Sequence, residues 1–435
     1  MTHIHLQRQW SKQLLFSFFV ALVGVLLSTS LSQASTSQTS NRQAQVKTPP
    51  HFSYADTWNN IHPFLMFDGH ITDPAAVAPR YDFVASAKWY NINAYRSANP
   101  NMFLTYYIPF HRDSGTFRDS TAYLTLSQWQ ATHPDYILYK CDRRTPAYEF
   151  DAPEIPLAFS NPGVLNYQLQ TYAIPASQNG FDGIIADNLN MENLFGACGT
   201  YVNGKWVQRY NGKHDDPRWL ADVVNWVTQM QQALHNLPHP MALILNLGYG
   251  RALTLNSAPI KQVLAHSDGI LDEAGFTHYG TYPLTGADWV QAIQMSNIEQ
   301  NQGKPFYIVN NLPVMNRANL QWALASYLMA KGHYSEVFIS TTQNYGIDAW
   351  HNEYNAQIGT PSGPMFFWQN VYWRNYSNGL SIVNPSPNRT FRVRLSTSVS
   401  FVDLYGNAVG PTVVLPPHSG LVLLISHTGT PKHGH

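Results

Sequence analysis

The sequence predicts an α/β chain, a closed (β/α)8 barrel followed by a small antiparallel β-sandwich domain. Three observations predict it. From Pro63 to about residue 340, short apolar runs alternate with amphipathic stretches, the rhythm of βα units around a parallel sheet. Two of those runs echo each other: Asp182-Gly183-Ile184-Ile185-Ala186-Asp187 and Asp268-Gly269-Ile270-Leu271-Asp272-Glu273 each place a carboxylate five residues after the Asp of an Asp-Gly pair. After about residue 365, helical spacing stops and short strands separated by turn residues take over.

The elements follow in order. Residues 64–67 read as strand one, ending at Asp68-Gly69, and residues 81–85 as strand two, with a helix over 88–96. Residues 103–108 read as strand three. A long irregular insertion over 111–160 follows, with a small helix near 126–132 and a strand near 136–139, in the position where barrel loops build substrate sites. Asn161-Pro162 is a helix start, with Asn as N-cap and Pro in the first turn. Strand four covers 181–186, and a loop containing Cys198 follows. Pro217 opens a helix whose apolar face is Leu220, Val223, Val224, Val227, Met230 and Leu234. Strands five to eight are expected at 241–247, 269–271, 306–309 and 336–340, with helices around Trp289 and Leu320. The expected domains are a barrel over 56–365 and a sandwich over 366–426, with strands at 379–383, 391–395, 400–404, 413–414 and 420–425.

The ends and the composition bound the rest. Arg8 and Lys12, an apolar run over 14–27 and the small residues Ser32 and Ala34 read as a signal peptide over 1–34, so the mature protein is expected to be secreted or periplasmic. An uncleaved anchor is the alternative, although the run is shorter than the roughly 20 residues a spanning helix needs. Residues 35–55 read as a flexible leader and 427–435 as a solvated tail, despite its histidines. Charged residues are 12% of the 435, net charge is zero and no basic cluster occurs, which argues against a nucleic-acid partner. The two cysteines, Cys141 and Cys198, are expected to pair if the protein is exported, two buried thiols being the alternative. No oligomeric state is legible.

A buried strand that ends in an acid has a reason in a barrel, because the carboxyl ends of the strands form the functional rim. Side chains alternate along a strand, so Asp187 and Glu273, at equivalent positions, should point into one pocket. Two such carboxylates are what cleavage of a glycosidic bond needs, one as proton donor and one as nucleophile or stabiliser. Asp272 should point toward the helices and is the substitute if the register slips by one. Asp68, Tyr107, Asn188, Asn246, Asp272 and Asn310 are the candidate sugar contacts, each with an ordinary structural role as the alternative. His111, Arg112 and Asp113 open the long insertion as substrate contacts or as solvated residues.

Asn161-Pro162 together with Gly180-Phe181-Asp182-Gly183-Ile184-Ile185-Ala186-Asp187-Asn188 resembles the bacterial TIM-barrel glycoside hydrolases of the "hypothetical glycosyl hydrolase" families, which are similar to the endo-α-1,4-polygalactosaminidase group. The resemblance covers roughly residues 60–425. It implies a strand-four Asp nucleophile, here Asp187, and a strand-six acid as proton donor, which the adjacent Asp272-Glu273 leaves open between two residues. A polysaccharide or oligosaccharide partner is then expected, with no cofactor and no metal. A non-catalytic glycan-binding protein on the same barrel is the main alternative. A metal-dependent hydrolase or deacetylase is disfavoured because no His-x-His or His-Glu-x-x-His sits at a strand end, and a serine hydrolase because no Gly-x-Ser-x-Gly elbow occurs.

Overall fold

A computed structural model of the protein describes residues 50–149, 154–248, 255–342 and 344–426. The segments expected to be a signal peptide and, up to residue 49, a leader, and the histidine-bearing tail, lie outside the described residues. Among the described residues no helix is long and apolar enough to cross a membrane.

Eight parallel strands run in sequence order around the barrel. They are β1 (Leu65–Met66), β2 (Phe83–Ala85), β3 (Phe103–Pro109), β4 (Gly183–Asn190), β5 (Ala242–Gly248), β6 (Gly269–Asp272), β7 (Phe306–Leu312) and β8 (Ser335–Thr341). The seam between β8 and β1 is closed by a parallel bridge at Pro63 and Val337, with Phe64 N donating to Val337 O and Val337 N to His62 O. The strands are apolar on both faces, as a parallel sheet covered by helices requires. Phe64, Met66, Phe83, Phe103, Ile185, Ile244, Leu271, Tyr307, Val309 and Phe338 fill the interior, while the alternate residues pack outward on the helices. The leader, expected to be flexible to residue 55, makes specific contacts before that point. Phe52 and Tyr54 pack against the lower barrel, and Tyr54 Oη donates to the Asp268 carbonyl.

The helices form where capping and spacing place them. Asn161 Oδ1 accepts from Gly163 N and starts the helix over Pro162–Gln168, which continues through a π segment (Leu169–Ala173) into Ile174–Gln178. Asp216 caps Arg218 and Trp219 at the head of Pro217–His235. A short helix over Ala258–Ala265 links β5 to β6, where none is expected from the sequence.

The insertion after β3 carries the helix Leu126–Thr132, closed by a Thr125–Gln128 capping box. The strand expected near 136–139 reduces to Tyr139–Lys140, because Pro134 starts a 3-10 turn through Tyr136. Tyr139–Lys140 pairs with a hairpin, Ala197–Val202 and Lys205–Gln208, in the stretch after β4 expected to be a loop. Cys141 and Cys198 are joined as a disulfide, with Cα atoms 5.0 Å apart, which ties the two insertions together. Gly212 lies over the bridge at φ +76°, and a Cβ there would stand 2.8 Å from both sulfurs.

The C-terminal part begins earlier in strands than expected, with Phe366–Trp368 and Val371–Tyr376 preceding Gly379–Asn384. These join Ser419–Ile425, Phe401–Asp403 and Ala408–Val409 in a six-stranded sheet, and Phe391–Arg394 pairs with Thr412–Leu415 in a two-stranded one. Between them lies a core of Val371, Trp373, Ile382, Val393, Leu415 and Leu423. The sheet is fixed to the helix Arg317–Ala330. Arg374 donates to the carbonyls of Leu328, Met329 and Lys331, satisfying and electrostatically complementing the helix C-terminus.

Candidate active site

The inward positions at the carboxyl ends of β3 to β6 are occupied by polar side chains. Along β4, Ile185 points in, Ala186 out and Asp187 in; along β5, Ile244 points in, Leu245 out and Asn246 in. Ala186 pairs with Leu245 and Leu189 with Leu247, so Asp187 and Asn188 together face the single Asn246. This is a β-bulge, and Asn188 takes the left-handed conformation (φ 52°) that it requires. The bulge sets Asp187 against Asn246 at the rim.

The Asn246 amide then joins the two acids. Its Nδ2 donates to Asp187 Oδ1 at 2.7 Å and to Glu273 Oε2 at 2.7 Å. Two oxygens so held cannot lie farther apart than twice that distance. Tyr107 Oη donates to Asp187 Oδ2, and the Arg112 guanidinium lies 3.6 Å from the same oxygen. Tyr345 Oη donates to Glu273 Oε1 at 2.8 Å. Burial raises the pKa of Asp187 from the ordinary carboxylate value, opposed by the bonds from Tyr107 and Asn246 and by the charge of Arg112. Glu273 is also raised, first by burial and then by the negative charge of Asp187. The two carboxylates differ in one respect: a guanidinium stands beside Asp187, whereas the neighbouring charge that weighs on Glu273 is negative.

Arg112 is itself clamped, its Nε bonding Glu149 Oε2 at 2.8 Å and its terminal nitrogen pairing with Glu154. Burial pushes Glu149 up to about 7 in spite of that pairing. Phe67, left-handed at φ 60° just past β1, lays its ring between those of Tyr107 and Tyr345, at 5.8 and 5.6 Å.

Of the eight residues expected in the site, Asp187, Glu273, Asn246 and Tyr107 meet directly. The others are placed differently. Asn188 is half-buried and serves the bulge. Asp68 is buried and accepts from Lys88 N and Asn91 Nδ2, anchoring the loop after β2. Asp272 turns toward the helix layer and accepts from Gly275 N. Asn310 also faces outward, where its Oδ1 accepts from Phe276 N. The inward residue of that pair is Asn311, whose Nδ2 donates to Tyr345 Oη. The expectation for Asn310 is therefore off by one, since an Asn-Asn pair gives no register signal when both strand faces are buried. His111 and Asp113 are buried, not solvated. His111 stacks on Phe195, and burial lowers its pKa to about 3. Asp113 binds Trp129, Tyr167 and Tyr172.

No sequence pattern marks Asn311, Tyr345, Phe67 or Glu149 as site residues. Tyr345 lies in the loop after β8 and Glu149 deep in the long insertion, where no periodicity applies. Among the described residues no group of three or more His, Cys, Asp or Glu side chains is placed to hold a metal ion. A separate depression of about 600 Å3 opens at the opposite end of the barrel, lined by Phe52, Arg96, Phe103, Asp182 and His239, remote from the acids.

A family model described as hypothetical glycosyl hydrolase family 15 matches residues 96–380. No curated protein matches the chain. Among solved structures, the chain is similar to the glycoside hydrolase domain of PelA from Pseudomonas aeruginosa, at 12% identity and a TM-score of 0.42, covering 64% of this chain and 94% of that one. It is similar to a β-L-arabinopyranosidase from Geobacillus stearothermophilus, at 11% identity and a TM-score of 0.43, covering 85% and 97%. It is also similar to an α-amylase from Malbranchea cinnamomea, at 10% identity and a TM-score of 0.45, covering 85% and 97%.

Proposed function

The chain belongs to hypothetical glycosyl hydrolase family 15, and from that premise we propose that it hydrolyses O-glycosidic bonds of a polysaccharide or oligosaccharide, with Asp187 as nucleophile and Glu273 as general acid and base. The observation that carries the reading is the Asn246 amide holding both carboxylates at 2.7 Å.

The roles follow from the surroundings. A nucleophile must be ionised, and Asp187 has a guanidinium beside it and a phenol donating to it. A general acid must keep its proton near neutral pH, and Glu273 is raised by burial and by its anionic neighbour. Glu273 gives its proton to the glycosidic oxygen as the C–O bond breaks, and Asp187 Oδ closes on the anomeric carbon to form a glycosyl ester. Glu273, now ionised, takes a proton from water, whose oxygen displaces Asp187 and restores both groups. The shared donor keeps the nearest carboxylate oxygens within about 5.4 Å, twice the 2.7 Å bond length, which favours the close spacing of a retaining pair (about 5–5.5 Å) over the ~6.5–9.5 Å that leaves room for water in inversion. The basic start and apolar run of the first 34 residues support export.

The test is a polysaccharide panel scored for new reducing ends. Asp187→Asn and Glu273→Gln each lower turnover by about 10²–10⁴-fold with the circular dichroism spectrum unchanged. NMR of the first product shows the anomeric configuration of the substrate. Wild-type turnover in Asp187→Asn would exclude the mechanism, and binding without cleavage across the panel would favour a glycan-binding protein.

A further inference from the structure

The segment after Glu273 is built with unusual care. Gly275 sits at φ +54°, where a Cβ would run into the Val309 carbonyl oxygen. Asp272 accepts from Gly275 N at 3.0 Å, Asn310 Oδ1 from Phe276 N at 2.9 Å, and Trp322 Nε1 donates to Phe276 O at 3.0 Å. Two residues expected to touch sugar thus scaffold this turn instead. What the turn presents is aromatic. His278 and Tyr279 are consecutive non-glycine residues in the left-handed region, at φ 42° and 58°, a costly conformation that persists only where the surroundings impose it. Tyr279 N bonds back to Ala274 O, one residue past Glu273. Tyr279 is 37% exposed, and Tyr282, 46% exposed, stacks face to face on His278 at 4.4 Å and 21°. The Tyr279 phenol is nonetheless close enough to the acids that burial and the charges of Glu273, Asp272 and Asp187 raise its pKa. The backbone bond to Ala274 thus seats a partly exposed aromatic ring in the turn that directly follows Glu273.

We propose that the Tyr279 ring, which meets His278 of the stacked His278–Tyr282 pair edge-on (centroids 5.5 Å apart, 74°), is the platform that binds the sugar on the leaving-group side of the scissile bond. The side follows from chemistry. The proton donor must face the glycosidic oxygen, so a surface continuous with Glu273 meets the leaving sugar. A flat tyrosine ring matches the C–H face of a pyranose, while its polar edge reaches a hydroxyl. The platform rests on Glu273 being the acid.

The test separates the two ideas by leaving group. A glycosyl fluoride of the sugar the wild type releases needs neither a leaving-side sugar nor a protonated leaving group, whereas an oligosaccharide of the same sugar needs both. Tyr279→Asn removes the ring but suits the left-handed backbone, and Tyr279→Phe keeps the ring. The ratio of kcat/KM on oligosaccharide to that on fluoride falls about tenfold in Tyr279→Asn, mainly through KM, and stays near wild type in Tyr279→Phe. An unchanged ratio in Tyr279→Asn, or an equal loss on both substrates, overturns the platform and leaves the carboxylate pair standing. Wild-type activity in Glu273→Gln, or no cleavage of any polysaccharide by the wild type, overturns the reading beneath it and the platform with it.

Discussion

On the proposed roles, Arg112 is the residue that most clearly distinguishes the two acids. It touches the Asp187 side of the pair and is itself held by Glu149 and Glu154. Its positive charge lowers the pKa of Asp187 against the upward push of burial. Activity should fail at low pH when Asp187 takes up a proton, and at high pH when Glu273 loses one. Removing the guanidinium raises the Asp187 pKa, so in Arg112→Met the acid limb of kcat/KM moves to higher pH while the alkaline limb stays within a fraction of a pH unit. A profile with both limbs unmoved would show that Arg112 supports only the loop.

At the scale of elements, the site depends on two insertions that are not part of the barrel repeat. The segment after β3 brings Arg112 and Glu149, and the hairpin after β4 braces it through Cys141–Cys198, across a separation of 57 residues. Closing a loop of that length restricts the unfolded chain by about 4 kcal/mol in the chain-entropy account. The Cys141→Ser, Cys198→Ser double variant should lose stability of that order, seen as a lower denaturation midpoint under non-reducing conditions. A midpoint equal to wild type would mean that the Trp129 and Tyr139 core holds the insertion unaided. The bulge at Asp187–Asn188 is the other local device. Without it the alternation along β4 would run on unbroken, and Leu189 could not return to its pairing with Leu247.

At the scale of the whole molecule, one buried charge stands out. Glu336 points into the lower barrel beside Tyr307, fully enclosed, and its Oε2 has no partner among the described residues. Burial raises its pKa well above the ordinary carboxylate value. A group with a raised folded pKa stabilises the fold below the unfolded pKa, and that contribution is lost as pH rises toward the folded one. Glu336→Gln should therefore melt higher than wild type at pH 8, by ~2–4 °C for each kcal/mol recovered, with the gain shrinking to nothing below about pH 4.5. An equal shift at both pH values would assign the effect to packing instead. Lys331, whose pKa burial lowers to about 7, lies nearby and runs the opposite way, contributing stability above its ordinary pKa that is lost as pH falls toward 7.

The sequence by itself determined the barrel, the C-terminal sheets and the inward carboxylates, because those depend on local rules: strand period, helix caps and the Asp-Gly offset that puts Asp187 and Glu273 in phase. Only the tertiary structure decided which polar neighbours reach them. Asn311 rather than Asn310 faces inward, Asp68 and Asp272 are used up on backbone amides, and Tyr345, Arg112 and Tyr279 arrive from loops that carry no period. Position within a strand is set by neighbours a few residues away, whereas the composition of a barrel mouth is set by contacts between segments tens to hundreds of residues apart. Those contacts exist only once the cylinder has closed.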